Sequence, residues 1–289
     1  MPASLDSLRR EIDVIDDQMH DLLMGRASIV ERIGALKVKD AQRVYIRPGR
    51  EAAIVRRLVE RHQGRIPASV VVRIWREMVA ATSRLQGPFS VAVHAPGDEV
   101  PYWDLARDHY GSCTRMDRHA TPNAAIRAVV DGDATVAVLP LPRDGERDPW
   151  WPLLVDTGRT MLRVVARLPF IENADAREQV GALAVAQVDQ EKTGDDVSLV
   201  AVESSADLSR KGLEQLFAAA GLPANGVAAL RDEGDPDTSV HLVEITDFVG
   251  PGDGRTAGIA TGAGETVRRI VALGGYAAPL GRRDTKPNG

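Results

Sequence analysis

Arg26 stands in a heptad seam made of residues 5, 8, 12, 15, 19, 22, 26, 29, 33 and 36. The other nine positions are apolar: Leu5, Leu8, Ile12, Ile15, Met19, Leu22, Ile29, Ile33 and Leu36. A guanidinium cannot shed its charge near neutral pH, so burying it in such a seam costs several kcal/mol unless a carboxylate or an anionic ligand meets it. A single polar seam residue can also do no more than fix register or oligomer state, so both readings stand at this point. Lys37 lies three turns further on, nearly on the same face and about 16 Å along the axis, close enough for two long cationic side chains to close around a small anion. Arg9 lies on another face, about 25 Å in the opposite direction. Within one helix it cannot reach the same anion, but it could serve a site on a second copy of the chain.

Two more clusters carry polar chemistry. Arg47-Pro48-Gly49-Arg50-Glu51 puts proline at a helix start and an acid in the first turn, which is also ordinary helix-start composition. Thr82 and Gln86 stand four residues apart, on one face of a third helix, a pattern that solvated surfaces share.

The elements that must hold these residues are helical. Residues 1–87 read as one helix over 4–39, a second starting at Pro48 and ending near Gly64, and a third over 69–86 stopped by Gly87-Pro88. A first helix of this length implies a bundle, best satisfied by an intertwined dimer, because two short helices cannot cover its whole seam.

From Phe89 the period changes. Residues 90–94, 135–139 and 162–166 read as strands, with a helix over 122–130 capped by Thr121, so the middle block, 88–190, is α/β. The polar stretch Asp189-Gln190-Glu191-Lys192-Thr193-Gly194 reads as a linker. A third block, 195–283, reads as strand 197–203, helix 209–220, strands 227–231 and 240–248, helix 264–273 and a short strand near Tyr276. That βαββαβ order is ferredoxin-like.

Composition limits the function. With 289 residues and 44% hydrophobic content, the chain is long enough for two or three domains. A net charge of −5 argues against nucleic acid as the main partner. The lone Cys113 excludes an intramolecular disulfide framework, and six scattered histidines without HExxH spacing give no metal motif, so no metal or cofactor is expected. No stretch reads as a signal peptide or membrane span, which makes the cytoplasm the expected compartment.

In order and spacing, the first block resembles the all-helical class of chorismate mutases. The likeness rests on residues 8–16, on Leu22-Leu23-Met24-Gly25-Arg26, on Ile33-Gly34-Ala35-Leu36-Lys37, on Tyr45-Ile46-Arg47-Pro48-Gly49-Arg50-Glu51 and on the run 74–86. The resemblance implies an intertwined helical dimer, chorismate as substrate and prephenate as product. It implies that Lys37 and Gln86 donate to the ether oxygen, and that Arg26 and the partner subunit's Arg9 clamp the two carboxylates. Glu51 would receive the ring hydroxyl, while Arg50 and Thr82 complete the carboxylate shell. Arg47 replaces an acidic residue that some family members use at the hydroxyl, and one residue is inserted between Lys37 and Arg50.

The rest of the chain resembles a reduced prephenate dehydratase followed by an ACT-like regulatory domain, an order known in fused mutase-dehydratases. Residues 120–142 carry the dehydratase likeness. Leu141-Pro142-Arg143 replaces that family's Glu-Asn-Ser, Ala95-Pro96-Gly97-Asp98-Glu99-Val100 replaces its glycine-rich loop, and about 105 residues are too few for two lobes. The middle block is therefore expected to be non-catalytic. The ACT-like reading rests on Leu242-Val243-Glu244-Ile245-Thr246-Asp247-Phe248 and on the run 272–280. Leu208-Ser209-Arg210 and Ala228-Ala229-Leu230-Arg231 stand where the family's phenylalanine-binding elements would be, which leaves an amino-acid effector possible and unspecified. The alternatives are a bifunctional mutase-dehydratase and a non-catalytic regulatory dimer.

Overall fold

The computed structural model describes residues 4–39, 46–97, 101–155, 161–171, 180–231 and 234–281. Tyr45, residues 98–100 and the end of the 195–283 block lie outside the described residues. Helix α1 runs over Leu5–Lys39, α2 over Pro48–Glu60 and α3 over Ala68–Ser83. Pro48 opens α2 with Glu51 in its first turn, and both of these short helices are amphipathic. Gln86 is not on α3: the helix stops at Ser83, and Gln86 sits in the turn that follows, its N–H donating to the Ser83 carbonyl.

Ala52, Val55 and Val59 of α2 and Ala68 and Val72 of α3 pack together with Phe170, Ile171 and Ala277 from the later blocks. The short helices thus share a core with the rest of the chain. Helix α1 does not: along its seam Leu5, Leu8, Ile12, Ile15, Met19, Leu22, Ile29, Ile33 and Leu36 are all exposed.

Beyond the helices one mixed sheet runs through both later blocks. Its strands are β1 Ser90–His94, β2 Arg115–His119, β3 Val136–Pro140, β4 Arg163–Leu168, β5 Ala182–Ala186, β6 Asp196–Ser205, β7 Ala224–Arg231, β8 Thr238–Ile245 and β9 Val267–Ala277. They lie in the order β2-β1-β3-β5-β4-β9-β6-β8-β7. Helices α4 Pro101–Tyr110 and α5 Pro122–Val130 belong to the first part, with Thr121 accepting from the Ala124 N–H as the α5 cap. Helix α4 and strands β2 and β5 were not anticipated in the sequence. β2 has a largely exposed, charged pattern, Arg115-Met116-Asp117-Arg118-His119, that carries no alternating apolar signal.

The last part has the element order βαββαβ, with α6 Arg210–Ala219 and α7 Gly254–Gly262, and all its neighbouring strands are antiparallel. The helix expected at 264–273 is a correction. Residues 264–266 form one 3-10 turn and Val267–Ala277 is a strand, while the helix lies earlier at Gly254–Gly262. Pairing of β9 along the whole of β6 overrides the helix-like spacing of Val267, Ile270 and Val271, and three glycines disguise α7. The two later blocks are also not separate sheets. Parallel β4 and β9 meet at Val164 and Gly274, where φ is +105° and any Cβ would collide with the Val164 backbone.

Candidate active site

A cavity of about 750 Å³ opens between α1, α2 and the end of α3. Arg26 and Lys37 reach it from α1; Arg47, Arg50 and Glu51 from the start of α2; Thr82 and Gln86 from the end of α3 and its turn. Ile29, Ile33, Ile54 and Val79 supply apolar wall. The site therefore combines several positive charges with apolar wall, suited to a small anion with an apolar body.

Close packing of two backbones makes this convergence possible. At Gly34 on α1 a Cβ would lie 3.2 Å from the Gln86 Cα, so a side chain there would push the turn away from α1. Arg26 then donates to the Thr82 hydroxyl at 2.9 Å, and that hydroxyl in turn donates to the Met78 carbonyl at 2.9 Å. Burial lowers the pKa of Arg26 from the arginine range, so its charge is held at some expense. Lys37 is lowered too, by burial first and then by Arg47, with Glu191 opposing. The Gln86 Oε1 is buried and has no hydrogen-bond partner among the described residues.

Arg47 is held by Glu191, at 2.5 Å from Nη2 and 2.7 Å from Nε, and the other Glu191 oxygen accepts the Arg50 N–H at 3.1 Å. The stretch read as a linker is thus fastened to the first turn of α2. Arg56 strengthens the attachment by donating to the Thr193 hydroxyl and to the Asp195 and Ala278 carbonyls. Arg9 is remote from this cavity and pairs with Asp6 at 3.3 Å on the exposed start of α1.

Among the polar and aromatic residues lining the cavity, Asp21, Arg57, Trp75 and Ser83 were not singled out in the sequence. Arg57 follows Arg50 by seven residues, two turns on the same face, a signal that was there to be used. The buried Arg76, which bonds Glu51 from behind the cavity, had a similar signal: it interrupts the small apolar stripe Ala68, Val72, Ala80 at four-residue spacing.

Fold and site together define a helical domain with a cation-lined cavity, joined to a mixed α/β sheet. Residues 8–87 match the family model for chorismate mutase type II, and the N-terminal helices are such a domain. Two relatives are bifunctional chorismate mutase/prephenate dehydratases. The one from Stutzerimonas stutzeri is 27% identical over 146 residues, 49% of this chain and 40% of the relative. The one from Aquifex aeolicus is 32% identical over 129 residues, 43% of this chain and 34% of the relative. The chain thus spans well under half the length of either relative. Among solved structures it is similar to prephenate dehydratase from Streptococcus mutans, with 12% identity, a TM-score of 0.46, and coverage of 66% of this chain and 99% of that one.

Proposed function

We propose that the helical domain rearranges chorismate to prephenate. The observation that carries this reading is the convergence of Arg26, Lys37, Arg50, Glu51, Thr82 and Gln86 on one cavity within a chorismate mutase type II domain. The reaction is a unimolecular pericyclic shift, with no proton transfer and no covalent intermediate. What it needs is a cage that holds the folded substrate and aims fixed positive charge at the ether oxygen, where negative charge grows as the C–O bond breaks.

In this reading Lys37 and Gln86, which both line the cavity, donate to the ether oxygen. Arg26, steadied by Thr82, clamps one carboxylate. Arg50 completes the shell with the partner subunit's Arg9, and Glu51 receives the ring hydroxyl. Arg47 is turned to Glu191, so its part is to fix the α2 start and add positive potential rather than to hold the hydroxyl. The exposed apolar seam of α1 supports a homodimer that covers it.

The α/β block is non-catalytic in this proposal, a reading supported by the replaced dehydratase motifs and the room for a single lobe. The βαββαβ block is an ACT-like regulatory domain open to an amino acid, supported by its order β9-β6-β8-β7.

The test is chorismate consumption by the purified protein, with prephenate and phenylpyruvate separated by chromatography. Wild type is expected to accumulate prephenate, and Arg26→Ala and Lys37→Ala to lose about 10²-fold or more in kcat/KM. No turnover by wild type, or turnover untouched in both variants, would sink the proposal. Phenylpyruvate from wild type would restore the bifunctional alternative.

A further inference from the structure

Behind the cavity wall lies a buried charge that the proposed reaction does not use. Arg76 of α3 is only 5% exposed and does not line the cavity, yet its Nη1 donates to the Glu51 Oε2 at 3.0 Å. On its far side, the guanidinium lies 5.4 Å from the Phe170 ring centroid, and Tyr110 and His109 of α4 are near enough to interact with its charge. Removing a guanidinium from water this thoroughly is costly, so it persists only where its partner gains from it. The partner here is the carboxylate assigned to the ring hydroxyl.

We propose that Arg76 is a positioning residue: from outside the cavity it fixes the orientation of Glu51 and keeps that carboxylate ionised as a hydrogen-bond acceptor. This rests on the proposed mutase reading for its catalytic meaning, though not for the coupling itself. The charges facing Glu51 come from several elements. Arg76 on α3, Tyr110 on α4 and Glu191 on the linker are near enough to act on it, Arg47 precedes it in the chain, and Asp21, Arg26 and Lys37 of α1 and Arg50 and Arg57 of α2 share its cavity. Burial pushes the Glu51 carboxyl above the ordinary glutamate range and Glu191 adds to the rise, while Arg76 is the leading opposing influence. Taking Arg76 away therefore leaves burial opposed only by the backbone hydrogen bond at Arg47, and the carboxyl goes neutral at higher pH.

The experiment pairs kinetics with direct titration. Profiles of kcat/KM against pH are compared for wild type, Arg76→Gln, Arg76→Lys, Glu51→Gln and the double variant Arg76→Gln/Glu51→Gln. In parallel, the Glu51 carboxyl is titrated by carbon-13 NMR in wild type, Arg76→Gln and Arg76→Lys. Arg76→Gln is expected to lose about 10- to 100-fold in kcat/KM near neutrality, mainly through KM. Its acid limb and its Glu51 titration both move to higher pH, and Arg76→Lys recovers part of the loss. In the Glu51→Gln background the Arg76→Gln step has little further effect, because both changes act through one contact. If Arg76→Gln fails to fold, Arg76→Lys carries the same test through the direction of its titration. An unmoved Glu51 titration, or an equal loss from Arg76→Gln in both backgrounds, overturns the proposal. Absence of turnover in wild type with a shifted titration defeats the mutase reading and leaves the Arg76 coupling standing.

Discussion

Both walls of the cavity are cationic, yet the chain supports them in opposite ways. The α1 wall presents Arg26 and Lys37 from a 35-residue helix whose seam stays open, with Leu22 75% and Ile15 53% exposed. The α2–α3 wall presents Arg50, Glu51 and Thr82 from helices that share a core with Phe170, Ile171 and Ala277 and are fastened by Glu191 and Arg56 to the linker. One wall is finished by its own chain and the other waits for something apolar. A second copy suits that need, because an isologous dimer would cover both seams at once and bring an Arg9 to each site. The difference teaches that one wall is positioned by contacts within the chain, while the helix of the other keeps an apolar seam uncovered.

Breaking the open wall is expected to have the largest effect. Arg9→Ala should lose about 10²-fold in turnover, the same loss expected of Arg26→Ala, although Arg9 lies remote from its own chain's cavity. Mixing the two variants by co-expression should then recover about a quarter of wild-type activity, since each mixed dimer holds one site with both arginines intact. Mixed dimers, verified by native mass spectrometry, that stay as inactive as their parents would place Arg9 outside the site and leave the open wall to some other partner.

The closed wall should respond less and in a different currency. A Cβ at Gly49 would sit 2.6 Å from the Glu191 Cβ and 3.0 Å from its Oε2. Gly49→Ala must push the linker off the start of α2, at a cost of about 1–3 kcal/mol as in other overpacked sites. A lowered urea midpoint together with a fall of kcat/KM by no more than a few-fold is the expected pair of results. An unchanged midpoint would mean that the linker is held elsewhere and that Glu191 only rests on Arg47.

These walls were also unequally legible in the sequence. Arg26 announced itself because a strict apolar period surrounds it, and Lys37 followed from helix geometry alone. The second wall depends on contacts that no local pattern encodes: Arg47 and Glu191 are 144 positions apart, and Arg56 reaches the Ala278 carbonyl 222 positions away. Gln86 was assigned to the correct neighbourhood but to the wrong local structure, since a turn after Ser83 and the bare Gly34 bring it in, not a continuing helix. The misread strand Val267–Ala277 belongs to the same class of error. Its fate is set by pairing with β6, and its join to β4 depends on a glycine whose need is visible only once both strands are placed.

The smallest expected effect concerns how the closed wall answers to acid. His109 of α4 is buried, and burial first and Arg76 second lower its pKa well below the ordinary 6.5, so the native protein keeps the imidazole neutral where the unfolded chain would protonate it. For a base depressed in this way the unfolded state binds more protons below about pH 6.5, and stability is lost as pH falls through that value. Glu51 acts with the opposite sign. Its carboxyl is raised above 4.5, so its contribution is fully present below that value and is lost as pH rises through the native titration. Urea midpoints measured between pH 7.5 and 5.5 should therefore fall toward acid in wild type. The fall should become shallower in His109→Gln, where His241, also lowered by burial, still contributes, and remain in Glu51→Gln, whatever the two substitutions do to overall stability. A fall undiminished in His109→Gln would mean that acid acts on another part of the molecule, and the buried cluster around Arg76 would then be silent in this range.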